Sequence, residues 1–149
     1  MNSSSFDLLW YNHSMISQDQ KQRITKSLQA HPEVMLAYLF GSQASGDTGP
    51  LSDFDIAVYF DESNVSGAAD LRLELLAELG RVLRTDNVDL VLLNQVDNPA
   101  LKYNIITTGQ LLFEREPYQL LVEPRILNEY FDFRSLLIRH KLTKVTTAV

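Results

Sequence analysis

The chain contains no cysteine, which excludes disulfides, thiolate nucleophiles and cysteine-based zinc sites, and fits a reducing compartment. Its three histidines, His13, His31 and His140, are scattered without metal-ligand spacing. Basic residues are also short. Thirteen Lys and Arg against nineteen Asp and Glu give a formal net charge of −6, which argues against direct nucleic-acid binding, because phosphate backbones are held by positive surface. An acidic body suits a basic protein partner better. The longest apolar run, which holds Met35 to Phe40, is far too short to span a bilayer, and the start, Met1 to Asp7, lacks the basic end and apolar core of a signal peptide. A soluble, cytoplasmic protein without membrane contact is expected.

What is present describes an ordinary globular chain, with 45% hydrophobic and 21% charged residues in 149. That length predicts one domain over 1–149, with a core of about 33–114 and a C-terminal helical segment of about 117–142. It leaves no room for an independent substrate-binding domain. No internal repeat, low-complexity segment or linker interrupts it.

Periodicity predicts the order of elements. Ser17-Gln18-Asp19-Gln20 reads as a capping box opening a surface helix to about Ala30, with Ile24 and Leu28 inward. Glu33 to Phe40 reads as a strand buried on both faces. A second strand runs from Asp53 to Phe60, with Phe54, Ile56, Val58 and Phe60 toward the core. Leucines three and four apart predict a helix over Ala69 to Leu83, followed by a third strand, Val88 to Leu93. Asn98-Pro99 starts a further helix that Gly109 ends. Leu111 to Glu114 makes a short last strand. Tyr118 to about Leu142 is helical, with Pro124 predicted to kink or split it. Its aromatic run, Tyr130 to Phe133, is expected to pack on the core. The first fifteen residues read as a loosely packed arm, and Thr143 to Val149 as a fraying end.

The chemistry concentrates in Gly41 to Phe60. Gly41-Ser42 ends an apolar strand and is expected to open a short helix, whose backbone N–H groups and Ser42 hydroxyl suit phosphate oxygens. Asp53 and Asp55, two apart, project to the same side of the next strand, and like charges so close raise the cost of ionising both. A divalent cation is the usual remedy, and hard carboxylate oxygens suit magnesium. Asp89 interrupts an apolar strand and is expected to be buried there, where a carboxylate needs a cation or a donor. Gly41 to Gly49 fits neither the P-loop nor the dinucleotide fingerprint.

Gly41-Ser42, ten residues, then Asp53-x-Asp55 resembles the signature of the nucleotidyltransferase superfamily that includes DNA polymerase beta and the aminoglycoside nucleotidyltransferases. The size is similar to that of the minimal nucleotidyltransferases, typically antitoxins paired with HEPN-domain ribonuclease toxins. The resemblance covers about Met35 to Glu114. It implies an α/β (α+β) fold of the polymerase beta type, a small mixed sheet flanked by helices with C-terminal helices. It further implies a magnesium-dependent protein adenylyltransferase. Asp53, Asp55 and Asp89 would be the catalytic and metal-binding triad, Gly41 and Ser42 the nucleotide-binding pair, and ATP the co-substrate. AMP would pass to a hydroxyl, a tyrosine by preference, of a cognate HEPN-type toxin in a hetero-oligomer. A small-molecule nucleotidyltransferase and a non-catalytic toxin-binding module are the alternatives. One departure stands out: Ser45 occupies a position where minimal members commonly carry a basic residue. Arg81, Arg84 and Lys102 are the candidates to replace that charge.

Overall fold

The computed structural model describes residues 16–41, 44, 53–64 and 67–141. Its elements are α1 (Gln18–Gln29), β1 (Val34–Phe40), β2 (Phe54–Phe60), α2 (Ala68–Leu83), β3 (Val88–Leu92), α3 (Pro99–Thr108), β4 (Gln110–Glu114) and α4 (Tyr118–Arg139), with short 3-10 turns at Glu62–Asn64 and Leu93–Gln95. The strands form one mixed sheet in the order β3-β2-β1-β4, antiparallel at β2/β1 and β1/β4 and parallel at β2/β3. A small mixed sheet flanked by helices and followed by a C-terminal helix is the architecture that the resemblance implied.

Two apolar layers explain the sheet's central position. On one face Ile24 and Leu28 of α1 and Leu71, Leu75, Leu79 and Leu83 of α2 meet Ala37, Leu39, Ile56, Val58, Leu90 and Leu92. On the other, Ile105 of α3 and Val122 and Ile126 of α4 meet Leu36, Tyr38, Ala57 and Leu93. β1 therefore reads as an unbroken apolar run because both of its faces are covered, and Val34 to Leu39 are all buried. Alternate residues of β2 divide between the two layers, as period two requires, whereas β3 gives Leu90 and Leu92 to the first layer alone.

The local signals hold in detail at several points. Ser17 Oγ accepts from Gln20 N at 3.1 Å while Ser17 N donates to Gln20 Oε1 at 3.0 Å, a reciprocal capping box. Asn98 Oδ1 accepts from Ala100 N at 3.0 Å, with Pro99 opening α3 behind it.

Two expectations are corrected. Gly109 does end α3, but at φ −74°, so no left-handed cap demands glycine there. Instead a Cβ would strike the carbonyl oxygen of Ile105 and lie 3.0 Å from that of Leu39, so close backbone approach excludes a side chain. Pro124 does not split the last helix, because α4 runs unbroken through it. The carbonyl that Pro124 leaves without a helical donor belongs to Leu120, which is 77% exposed, so water can satisfy it. Tyr130 stacks on Tyr103 with ring centroids 3.9 Å apart, whereas its neighbour Phe131 is exposed. The amino-terminal arm and the carboxyl-terminal tail lie outside the described residues.

Candidate active site

Three strands bring their chemistry to one rim of the sheet. β1 arrives there with Phe40 paired to Asp55 of the antiparallel β2, so Gly41 follows directly beside that carboxylate. β2 starts at the same rim, and β3, running parallel to it, places Asp89 opposite Asp55. Paired positions on adjacent strands lie about 4.8 Å apart and point to the same side. That side is the one covered further along by α3 and α4, because Asp55 shares its parity with Ala57. Asp53 sits two residues earlier, exposed, just before the strand begins.

The electrostatics follow from this crowding. The Asp55 carboxyl titrates above its ordinary value of 3.8, first because it is partly buried, then because of the charges of Asp89 and Asp53. Gly41 adopts φ 72°, a left-handed conformation that side chains resist, and a Cβ there would collide with Asp55 Oδ2. Glycine thus serves twice, turning the chain out of β1 and leaving the space that the Asp55 carboxylate fills. Past it, the Ala44 N–H donates to the Gly41 carbonyl at 3.2 Å, while the short helix expected after Gly41-Ser42 falls largely outside the described residues. Ser42 and Ser45 lie outside the described residues.

The expectation of a buried Asp89 is overturned. Its side chain is 60% exposed at the edge strand, facing out of the sheet where no helix covers it. The apolar run around it misled, since Leu90 and Leu92 pack beneath α1 and α2 whereas Asp89 occupies the opposite face. The carboxylate therefore reaches the rim without the desolvation cost that burial would have imposed.

A residue that the sequence left unmarked joins the rim. Arg72 extends from α2, donates from Nε to the Leu90 carbonyl at 3.0 Å, and brings Nη2 to 3.8 Å from Asp89 Oδ1. An arginine four residues into a helix carries no signal of a contact with a strand 17 residues later. The three cations that the sequence offered lie elsewhere. Arg81 and Arg84 line a concavity of ≈ 530 Å³ between α1 and α2 with Arg23 and Lys26, on the opposite side of the sheet. Lys102 is held by Glu129 at 2.6 Å between α3 and α4.

A second acidic group lies apart from the rim. His31, buried after α1, donates from Nε2 to Glu78 Oε2 at 2.8 Å, with Glu33 Oε1 3.5 Å from Nδ1 and the Ser27 hydroxyl donating to Glu78 at 3.0 Å. Ligand atoms of His31, Glu74 and Glu78 lie within 4.8 Å of one another, but the imidazole and Glu78 already satisfy each other. This group ties α1 to α2 and is distinct from the Asp53, Asp55, Asp89 rim.

Comparison with known proteins accords with this geometry. Residues 22–118 match the family model for polymerase beta nucleotidyltransferases. A Methanocaldococcus jannaschii protein, provisionally named a protein adenylyltransferase, is 38% identical over 80 residues, covering 54% of this chain and 78% of its own. A chain in the crystal structure of a toxin–antitoxin pair with AMP-PNP superposes with a TM-score of 0.66 and 28% identity, over 83% of this chain and 98% of that one. Another, from the complex of a tri-AMPylated Shewanella oneidensis HEPN toxin with its MNT antitoxin, gives a TM-score of 0.63 at 26% identity, over 86% and 100%. With strands that converge on paired aspartates beside a left-handed glycine, and with the match extending over most of the sheet, the chain belongs to the polymerase beta nucleotidyltransferase family.

Proposed function

We propose that this chain is the antitoxin of a toxin–antitoxin pair and neutralises a HEPN-type partner by adenylylating it. The observation that carries the proposal is the registered pair Asp55 and Asp89 with Asp53 beside it, a cluster of like charges that the described residues compensate only through the distant edge of Arg72. Likeness to a toxin–antitoxin pair with AMP-PNP, and to the antitoxin bound to an AMPylated toxin, supports the nucleotide and the acceptor class.

The donor set fits magnesium. Asp55 and Asp89 stand in register with Asp53 close enough for its charge to be felt, without a thiol or imidazole among them, and a hard dication would relieve the upward shift of Asp55. Asp53, Asp55 and Asp89 would hold it, and when bound it would neutralise charge on the triphosphate and on the departing pyrophosphate. The chain's own groups orient the reaction. Gly41 keeps the Asp55 carboxylate unobstructed, and Ser42 with the N–H groups after Gly41 would hold the outer phosphates.

The acceptor oxygen attacks the α-phosphorus of ATP, the bond from that phosphorus to the bridging oxygen breaks, and pyrophosphate leaves with the electron pair. Asp89, at the open edge, is the carboxylate placed to receive the proton of the acceptor hydroxyl. A tyrosine acceptor, with a pKa of about 10, needs such a base at neutral pH. Because only α4 follows the sheet among the described residues, the acceptor would bring its own surface to the rim.

The test is to purify the chain with its candidate toxin, add ATP and magnesium, and weigh both proteins intact. Gain of one or more AMP units on the partner supports the proposal. A partner that remains unmodified, yet is still inhibited by the Asp53→Asn, Asp55→Asn double variant, would establish a non-catalytic binding module instead. Modification of an aminoglycoside alone would establish a small-molecule enzyme.

A further inference from the structure

The edge of β3 holds an arrangement that the family match does not account for. Among the described residues β3 is the outermost strand, and no strand of the sheet pairs with its outward backbone groups. Arg72 covers one of them, with Nε donating to the Leu90 carbonyl at 3.0 Å. This bond fixes the guanidinium plane, and the fork then presents Nη2 to Asp89 Oδ1 at 3.8 Å. α2 packs on the face of the sheet opposite to that of Asp89, so the side chain must pass around the strand edge to make both contacts.

We propose that Arg72 is a positioning residue for Asp89, setting the direction of its carboxylate at the rim by anchoring on the strand that carries it. This rests on the reading of the rim as a nucleotide-transfer site. An exposed aspartate on an edge strand otherwise turns freely among its rotamers, and the like charge of Asp55 pushes it outward, away from the acceptor and the other two carboxylates. Arg72 keeps one carboxylate oxygen beside its guanidinium and so narrows the directions open to the side chain. Arginine is suited to this because a single planar group supplies both Nε and Nη donors, whereas a lysine offers one point charge and no such fork. The same residue also places one positive charge beside Asp89.

A purely structural role, covering the edge carbonyl, makes a different prediction. Two measurements separate them. First, urea midpoints are compared for wild type, Arg72→Ala, Asp89→Asn and the double variant. Positioning predicts that Arg72→Ala lowers the midpoint more when Asp89 is present than when it is Asn, whereas edge covering predicts equal losses in both backgrounds. Second, AMP transfer to the partner is followed in the metal-loaded complex. Arg72→Ala should reduce kcat by about ten-fold with KM for ATP within about two-fold, and Arg72→Lys should recover only part of the loss. Equal losses of midpoint in the two backgrounds overturn the proposal, as does a change confined to KM, which would make Arg72 a nucleotide contact. If the stability coupling is found while wild type transfers no AMP, the contact between Arg72 and Asp89 is upheld and the transfer reading of the rim is what fails.

Discussion

Two acidic groups in this protein obey opposite electrostatic rules. At the rim, Asp55 faces Asp89 in register with Asp53 nearby, and burial together with these like charges pushes its carboxyl above the ordinary range. Between α1 and α2, Glu78 receives hydrogen bonds from His31 and Ser27 and is held below its ordinary value. Burial on its own would lower the His31 pKa, but the hydrogen bonds and charges of Glu78 and Glu33 raise it instead. The second group is a finished ion pair that joins two helices. The first costs stability as it stands, and on the proposed function a bound cation would supply the opposite charge that no neighbouring side chain brings close.

The sharpest way to break this contrast is to exchange the consequences. Asp55→Asn should abolish AMP transfer, by about a thousand-fold or more, since each factor of ten corresponds to about 1.4 kcal/mol of lost transition-state stabilisation and metal coordination supplies several. Intact mass of the partner after incubation with ATP and magnesium reads this directly. Glu78→Gln should do the reverse, leaving transfer within a few-fold while lowering unfolding free energy by about 2 kcal/mol, because His31 and Ser27 lose a charged acceptor. A Glu78 variant that loses transfer without loss of stability would dissolve the distinction.

Gly41→Ala should fall between them. A left-handed conformation costs a side chain about 1–2 kcal/mol, and the new Cβ must displace the Asp55 carboxylate. Lower stability in urea and impaired transfer are both expected, and a fully active, equally stable variant would show that Asp55 does not depend on that space.

The pH dependence sharpens the comparison further. His31 has a raised pKa, so its contribution is complete below its unfolded value near 6.5 and is lost as pH rises through the folded value. Glu78 has a lowered pKa, so its contribution is complete above about 4.5 and is lost as pH falls through the folded value. The stability difference between wild type and Glu78→Gln should therefore be largest between these limits and shrink on either side. Asp55 runs the other way. Its ionisation is penalised by folding, so the metal-free Asp55→Asn variant should be more stable than wild type, by up to about 1 kcal/mol. That gain should be absent below the unfolded value near 3.8 and grow as pH rises through the folded one. Urea titrations across pH measure both, and magnesium with a nonhydrolysable nucleotide should remove the Asp55 difference while leaving that of Glu78 intact.

Much of this arrangement could be read before any coordinates. Ser17 with Gln20, Asn98 with Pro99 and the leucines of α2 are local codes, and each builds the element that its spacing implies. The Gly41-Ser42 and Asp53-x-Asp55 pattern marked the rim because a turn and a two-residue alternation are determined within a few residues. Glycine at 109 was legible as a helix end, whereas the approach of the Leu39 carbonyl, seventy residues earlier, to the same point was not.

Sequence by itself determined most of the elements and the standing of Asp53 two residues before Asp55 at the head of β2, for these depend on bond geometry and short-range periodicity. Only the tertiary structure decided which strand lay beside β2, that Asp89 stood exposed and in register with Asp55, that Arg72 came around the edge to meet it, and that Arg81, Arg84 and Lys102 did not. The physical reason is that strand order and helix docking are chosen by the burial of whole apolar faces, a sum over distant residues, and charged side chains such as Arg72 and Asp89 meet where that choice happens to carry them.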